Sequence, residues 1–117
     1  MRRICPYCKK EYDPTPEIVE ELKRVLGKLF PTDKKIKLYK GAKCAKCNNT
    51  GYLGRVGIFE VMPVSEKLGR LTMERSSSVD IQKQAISEGM ITLRQDGYLK
   101  VLEGLSTMEE VLRVAQE

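Results

Sequence analysis

Four cysteines carry the chemistry this sequence can do. They fall into two C-x-x-C pairs, Cys5 with Cys8 in "CPYC" and Cys44 with Cys47 in "CAKC", with residues 9–43 between them and none left over. Two residues between cysteines let both thiolates of a tight turn face one ion, and two such turns complete a tetrahedral four-sulfur site, the arrangement that structural zinc prefers. A closed set of four leaves no open coordination position, which disfavours catalytic zinc. The chain has no histidine, and this removes His-containing metal sites and most acid–base and nucleophile designs that work near neutral pH. The expectation is one structural Zn²⁺ held by Cys5, Cys8, Cys44 and Cys47, with no catalytic or other cofactor-binding residue.

Two alternatives stay open for these cysteines. One is an unmetallated or redox-active pair of dithiols. The other is iron, because "CPYCKKEYDP" resembles the first knuckle of a rubredoxin, although "CAKCNNTG" lacks the Pro-Leu-Cys-Gly character of the second. Charge is consistent with a thiolate centre. Four thiolates around Zn²⁺ leave a net −2, and Arg2, Arg3, Lys9, Lys10, Lys43 and Lys46 lie close in sequence to the cysteines, where they offset that charge and favour ionised thiols. The formal charge of +5 is unevenly spread: residues 1–50 hold 13 Lys/Arg against 6 Asp/Glu, and residues 51–117 hold 8 against 10. A basic half also suits nucleic acid or anionic lipid, but solvation and the thiolates account for much of it.

The elements that must position the cysteines can be read from periodicity and caps. In a chain of 117 residues, 41% hydrophobic and 32% charged, one small domain or two sub-modules sharing a core is the natural size. No apolar run approaches the ~20 residues of a membrane span, no signal-peptide core opens the chain, and a cytoplasmic protein is expected. Thr15 and Pro16 start an amphipathic helix through Phe30, with Ile18, Val19, Leu22, Val25, Leu26, Leu29 and Phe30 on one face. "KIKLYKGA" predicts a short strand leading into the second cysteine pair. "YLGRVGIFEVMPV" predicts another, apolar on both faces over Val56–Met62 and hence covered on both sides. Short helices follow, capped at Ser65, Ser78, Thr92 with Gln95, and Ser106 with Glu109; Leu68, Leu71, Ile81, Ala85, Ile86, Met108, Val111, Leu112 and Ala115 point inward. Gly51, Gly54 and Gly57 serve backbone geometry, since G-x-x-G-x-x-G is not a dinucleotide fingerprint and no G-x-x-x-x-G-K-[ST] phosphate loop occurs. The fold class is α+β: a tetracysteine zinc module over 1–50, a return strand or connector over 51–63, and a C-terminal bundle of short helices over 64–117.

Several of these segments together resemble a known family. "CPYCK" (5–9), "CAKCNNTGYLGRVGIFE" (44–60), "GMITLRQDG" (89–97), "KVLEG" (100–104) and "STMEEVLRV" (106–114) are similar, in order and across nearly the whole chain, to the C-terminal part of the hexameric ATPases of type II secretion and type IV pilus assembly. That resemblance implies a zinc-binding tetracysteine subdomain protruding from a motor domain. It also implies a strand around Gly54–Glu60 returning to a RecA-like sheet, and helices closing the end of the motor. The family's Walker motifs and its Asp and His boxes lie upstream and do not occur in this sequence, so the chain is expected to be no ATPase as it stands and to be either a C-terminal fragment or a short gene product.

The function that follows is structural and interactive. A zinc-stabilised region would contact neighbouring ATPase subunits and the inner-membrane platform proteins of a secretion or pilus machine, with the full-length family peripheral at the inner membrane and no small-molecule substrate. The competing reading is a stand-alone zinc ribbon that binds nucleic acid through the basic turns and Tyr7, Tyr12, Tyr39 and Tyr52; the helical second half does not fit it. A redox protein is the third reading, and a visible absorption band would separate iron from colourless zinc.

Overall fold

A computed structural model describes residues 1–32 and 35–115. The order is β1 (Arg2–Ile4), β2 (Lys9–Tyr12), α1 (Pro16–Leu26), β3 (Leu38–Gly41), β4 (Tyr52–Arg55), α2 (Glu66–Met73), α3 (Ser78–Ser87), α4 (Leu93–Leu102) and α5 (Met108–Val114), with single 3₁₀ turns at Gly27–Leu29 and Ala45–Cys47. The architecture is mixed α+β, as the sequence predicts.

The strands form two antiparallel pairs. β1 pairs with β4 through Arg2↔Arg55 and Ile4↔Tyr52, with an irregularity between. β2 pairs with β3 through Lys9↔Gly41, Lys10↔Lys40, Glu11↔Tyr39 and Tyr12↔Leu38. The first cysteine pair joins β1 to β2 and the second joins β3 to β4. Each cysteine turn therefore links one sheet to the other, and pairing the outer and inner strands brings the two turns side by side. Isolated two-stranded sheets are marginal in water, so this frame depends on what joins its turns and on the helices behind it.

The main core joins both halves of the chain. Leu22, Leu26 and Phe30 from the α1 region and Leu38 from β3 pack with Tyr98 and Val101 of α4, Val111 of α5, and Ala115. Gly97 permits α4 to approach α5: a Cβ there would lie 2.8 Å from Val111 Cγ1. Tyr98 is fully buried and its hydroxyl donates to Glu21 Oε1 at 3.1 Å. A smaller cluster of Leu68, Ala85 and Met90, with Ile81 against it, holds α2 to α3.

Local signals succeed at most helix starts. Thr15 accepts from the Ile18 N–H with Pro16 at the first position, Ser65 caps α2, and Thr92 and Gln95 form a reciprocal capping box. Several details differ. The first α-helix stops at Leu26, because Gly27 takes φ 52° and breaks the ladder, and Leu29 beyond it is exposed. The caps of α3 and α5 are Ser77 and Thr107; in runs of adjacent hydroxyl residues the sequence signal cannot choose. Ser106 is instead buried, donating to the Arg2 carbonyl at 2.7 Å. Ile86 and Leu112 face solvent, and Gln116 and Glu117 of the last expected helix lie outside the described residues.

The segment after β4 departs most. No regular strand continues past Arg55, and Phe59, Val61, Met62 and Val64 are exposed rather than covered on both sides. Val56 still exchanges backbone hydrogen bonds with Met1 at 2.9 and 3.0 Å, but past it no described residue pairs with this stretch as a strand, and without a neighbouring ladder an apolar run has no reason to stay pleated. It is pinned instead to the start of α4. The Phe59 N–H donates to Asp96 Oδ2 at 2.8 Å and the Leu93 N–H to Glu60 Oε2 at 2.8 Å, so two acidic groups satisfy free amides around a helix N-terminus.

Candidate metal centre

Each cysteine pair is placed by its own turn. Cys5 directly follows β1, is fully buried, and donates its N–H to the Gly51 carbonyl at 2.9 Å. Cys8 directly precedes β2 and its carbonyl accepts from the Ala42 N–H at 2.9 Å. Cys44 opens the 3₁₀ turn that carries Cys47. The chain then leaves through Asn48, Asn49 and Gly51, at φ 53°, 58° and 84°, a left-handed succession that Asn and Gly tolerate best. Thr50 braces it, its hydroxyl donating to the Cys47 carbonyl at 2.7 Å.

The sulfur geometry fits one small tetrahedral cation. Cys5 Sγ lies 3.8 Å from Cys44 Sγ, Cys8 Sγ 3.8 Å from Cys47 Sγ, and Cys44 Sγ 3.7 Å from Cys47 Sγ. All four lie within 4.8 Å of one another. A tetrahedron with Zn–S bonds of about 2.3 Å has sulfur–sulfur edges of about 3.8 Å. Disulfides, at about 2.05 Å, do not match, and all four thiols are free. The cluster can therefore hold a metal ion, and its donors suit a thiophilic one.

Ionisation of the four thiols is uneven. Burial, then contact with the other three thiols, pushes Cys8 up to about 12. For Cys47 burial also opposes the charge, but the backbone N–H groups of Cys44 and Gly51, each 3.3 Å from the sulfur, together with the Cys44 and Cys8 thiols bring the thiol down to about 6. Amides aimed at one sulfur are the usual way a thiolate is held ready.

The nearby cations are only partly where the sequence suggests. Arg2 is engaged away from the sulfurs: its Nε lies 2.6 Å from Glu110 Oε1 and its guanidinium 4.2 Å over the Tyr52 ring. Lys9 lies over Tyr39 at 4.6 Å and Lys46 over Tyr7 at 4.0 Å. Among the four tyrosines of the nucleic-acid reading, Tyr7 alone is largely exposed. Tyr12 packs against the main core and the Tyr52 hydroxyl bonds Thr107 at 2.8 Å, so no aromatic platform forms.

Sequence reasoning missed Glu110. This carboxylate is 1% exposed and accepts from the Arg2 backbone N–H at 3.0 Å, from Arg2 Nε, and from Arg113 Nε at 2.7 Å and Nη2 at 3.0 Å. Arg113, then Arg2, hold it at about 2, against the opposing effect of burial. With the Ile4 N–H to Leu105 carbonyl bond at 2.9 Å, Glu110 ties β1, and so Cys5, to the start of α5. The i,i+3 spacing to Arg113 is visible in sequence; the partnership with Arg2 is not.

The family model for type II/IV secretion system proteins matches residues 1–113. This chain belongs to that family. It is 41% identical to the type IV pilus assembly ATPase PilB of Pseudomonas aeruginosa over 99% of its own length and 20% of that protein's. Against PilB of Thermus thermophilus the figures are 39%, 96% and 12%, and against the type II secretion system ATPase E of Vibrio cholerae 35%, 100% and 22%. The chain thus spans about a fifth or less of the length of these relatives. Among the described residues no helix is long and apolar enough to cross a membrane.

Proposed function

We propose that this chain is the zinc-stabilised region of a type II secretion or type IV pilus assembly ATPase, with Cys5, Cys8, Cys44 and Cys47 as the four ligands of one structural Zn²⁺. The observation that carries the reading is the sulfur cluster, three of whose six edges are 3.7–3.8 Å and all within 4.8 Å, which suits a closed four-thiolate site. Such a site shapes the surface and touches no substrate. The region acts through protein contacts, in the cytoplasm, with neighbouring ATPase subunits and with platform proteins at the inner membrane, and contributes no nucleotide-binding motif. Residues 1–50 form the metal module, 51–63 the connector and 64–117 the helical part, with α4 and α5 coupled to the first through the common core. The exposed apolar run of Phe59, Val61, Met62 and Val64 supports a larger body that covers it. Metal analysis of the purified chain tests the centre: about one zinc per chain is expected, and a folded, metal-free protein would refute it.

A further inference from the structure

Gly41 and Gly51 meet back to back beside the cysteine cluster. Gly41 ends β3 and pairs with Lys9, and its neighbour Ala42 donates to the Cys8 carbonyl, so this corner is bonded to the exit of the first cysteine turn. Gly51 is the exit of the second. Its N–H donates to Cys47 Sγ and its carbonyl accepts from the Cys5 N–H, so this one residue touches a ligand from each pair.

The approach leaves no room for a side chain at position 41. A Cβ there would lie 2.5 Å from Gly51 Cα and 2.7 Å from its carbonyl carbon, and would collide with its carbonyl oxygen. These are backbone atoms, which cannot rotate aside. Gly41 does not occupy the left-handed region, so space alone excludes a side chain. Gly51 is different: its φ of 84° requires glycine for conformation.

We propose that Gly41 is a positioning residue for the metal, its contact with Gly51 setting the separation of the two cysteine turns so that four sulfurs converge on one ion. The proposal rests on the metal-binding reading above. Metal–ligand distances tolerate only about ±0.2 Å, so a wedge that shifts Gly51 carries both Cys5 and Cys47 out of register. Loss of an outer partner of this kind costs roughly 10–100-fold in metal affinity.

The test compares the wild-type chain, Gly41→Ala, and Leu22→Ala as a core truncation remote from the sulfurs. Zinc affinity is measured by competition with a chromophoric chelator, and cobalt loading reports coordination through its visible bands. Gly41→Ala should bind zinc about 10–100-fold more weakly with altered cobalt bands, whereas Leu22→Ala, though less stable, should keep the wild-type bands. Wild-type affinity in Gly41→Ala, or the same altered bands in Leu22→Ala, would overturn the proposal. If Gly41→Ala is unfolded without metal, a zinc titration decides: refolding at 10–100-fold higher zinc than wild type supports positioning, and no refolding at saturating zinc overturns it. A wild-type chain that binds no zinc or cobalt identifies failure of the metal reading itself, before any variant is compared.

Discussion

Glu110→Gln removes one charge from a buried site and leaves its shape nearly intact. The wild-type carboxylate is held at about 2 rather than its ordinary 4.5. Each unit corresponds to about 1.4 kcal/mol, so the shift from 4.5 to about 2 sets an upper bound of about 3.5 kcal/mol. Arg2 and Arg113 are 48% and 56% exposed, so water recovers part of their charge in the variant, and a loss of about 2 kcal/mol at pH 7 is expected. The pH dependence has a definite sign. Because the folded-state carboxyl is depressed, its contribution is fully present above about 4.5 and fades as pH falls toward 2. Urea unfolding followed by circular dichroism on both proteins, from pH 7 down to pH 3, isolates this term, since thiol protonation and metal loss act on both alike. The stability gap should narrow steadily below about pH 5. A gap under about 0.5 kcal/mol at pH 7, or one that is constant across the series, would show that Glu110 does not clamp β1 to α5 electrostatically.

Four further outcomes are expected. Cys44→Ser should lower bound zinc well below one per chain, with hydrogen-exchange protection lost first in the β-strands and α1 and least in α2 and α3, which have their own cluster; uniform loss would refute the division. Gly97→Ala should destabilise by about 1–3 kcal/mol through collision with Val111, measured by thermal unfolding. Gly69→Ala, in α2 with open space around the new Cβ, should instead stabilise by about 0.5–1 kcal/mol in the same assay. Fluorescent ATP should show no saturable micromolar binding to this chain, and saturation would contradict the assignment of nucleotide chemistry to other parts of the family's proteins.

Much of the site was legible because its signals are local. Two thiols in one C-x-x-C turn are neighbours by covalent geometry, so each cysteine pair needed no tertiary information. The same holds for the caps at Thr15, Ser65 and Thr92, whose partners lie three residues ahead. Where local signals were degenerate, at Ser77/Ser78 and Ser106/Thr107, the cap was displaced by one residue, and Ser106 was claimed by Arg2 from the far end of the chain. The apolar run over 56–62 shows the limit of periodicity. It states that both faces favour burial, but whether they are buried depends on partners the pattern does not name.

The residue types and their spacing determined the α+β class, the two cysteine pairs, most helix starts and the resemblance to secretion and pilus ATPases. The tertiary structure decided which sulfurs adjoin across a separation of 39 residues and that Glu110 reaches Arg2 across 108. It also decided that Gly41 lies against Gly51 and that α1 shares its core with α4 and α5. The physical reason is the same in each case. A short-range pattern constrains residues within a turn or two of one another, whereas a steric contact or a buried ion pair between distant segments exists only once the whole chain has chosen how its elements pack.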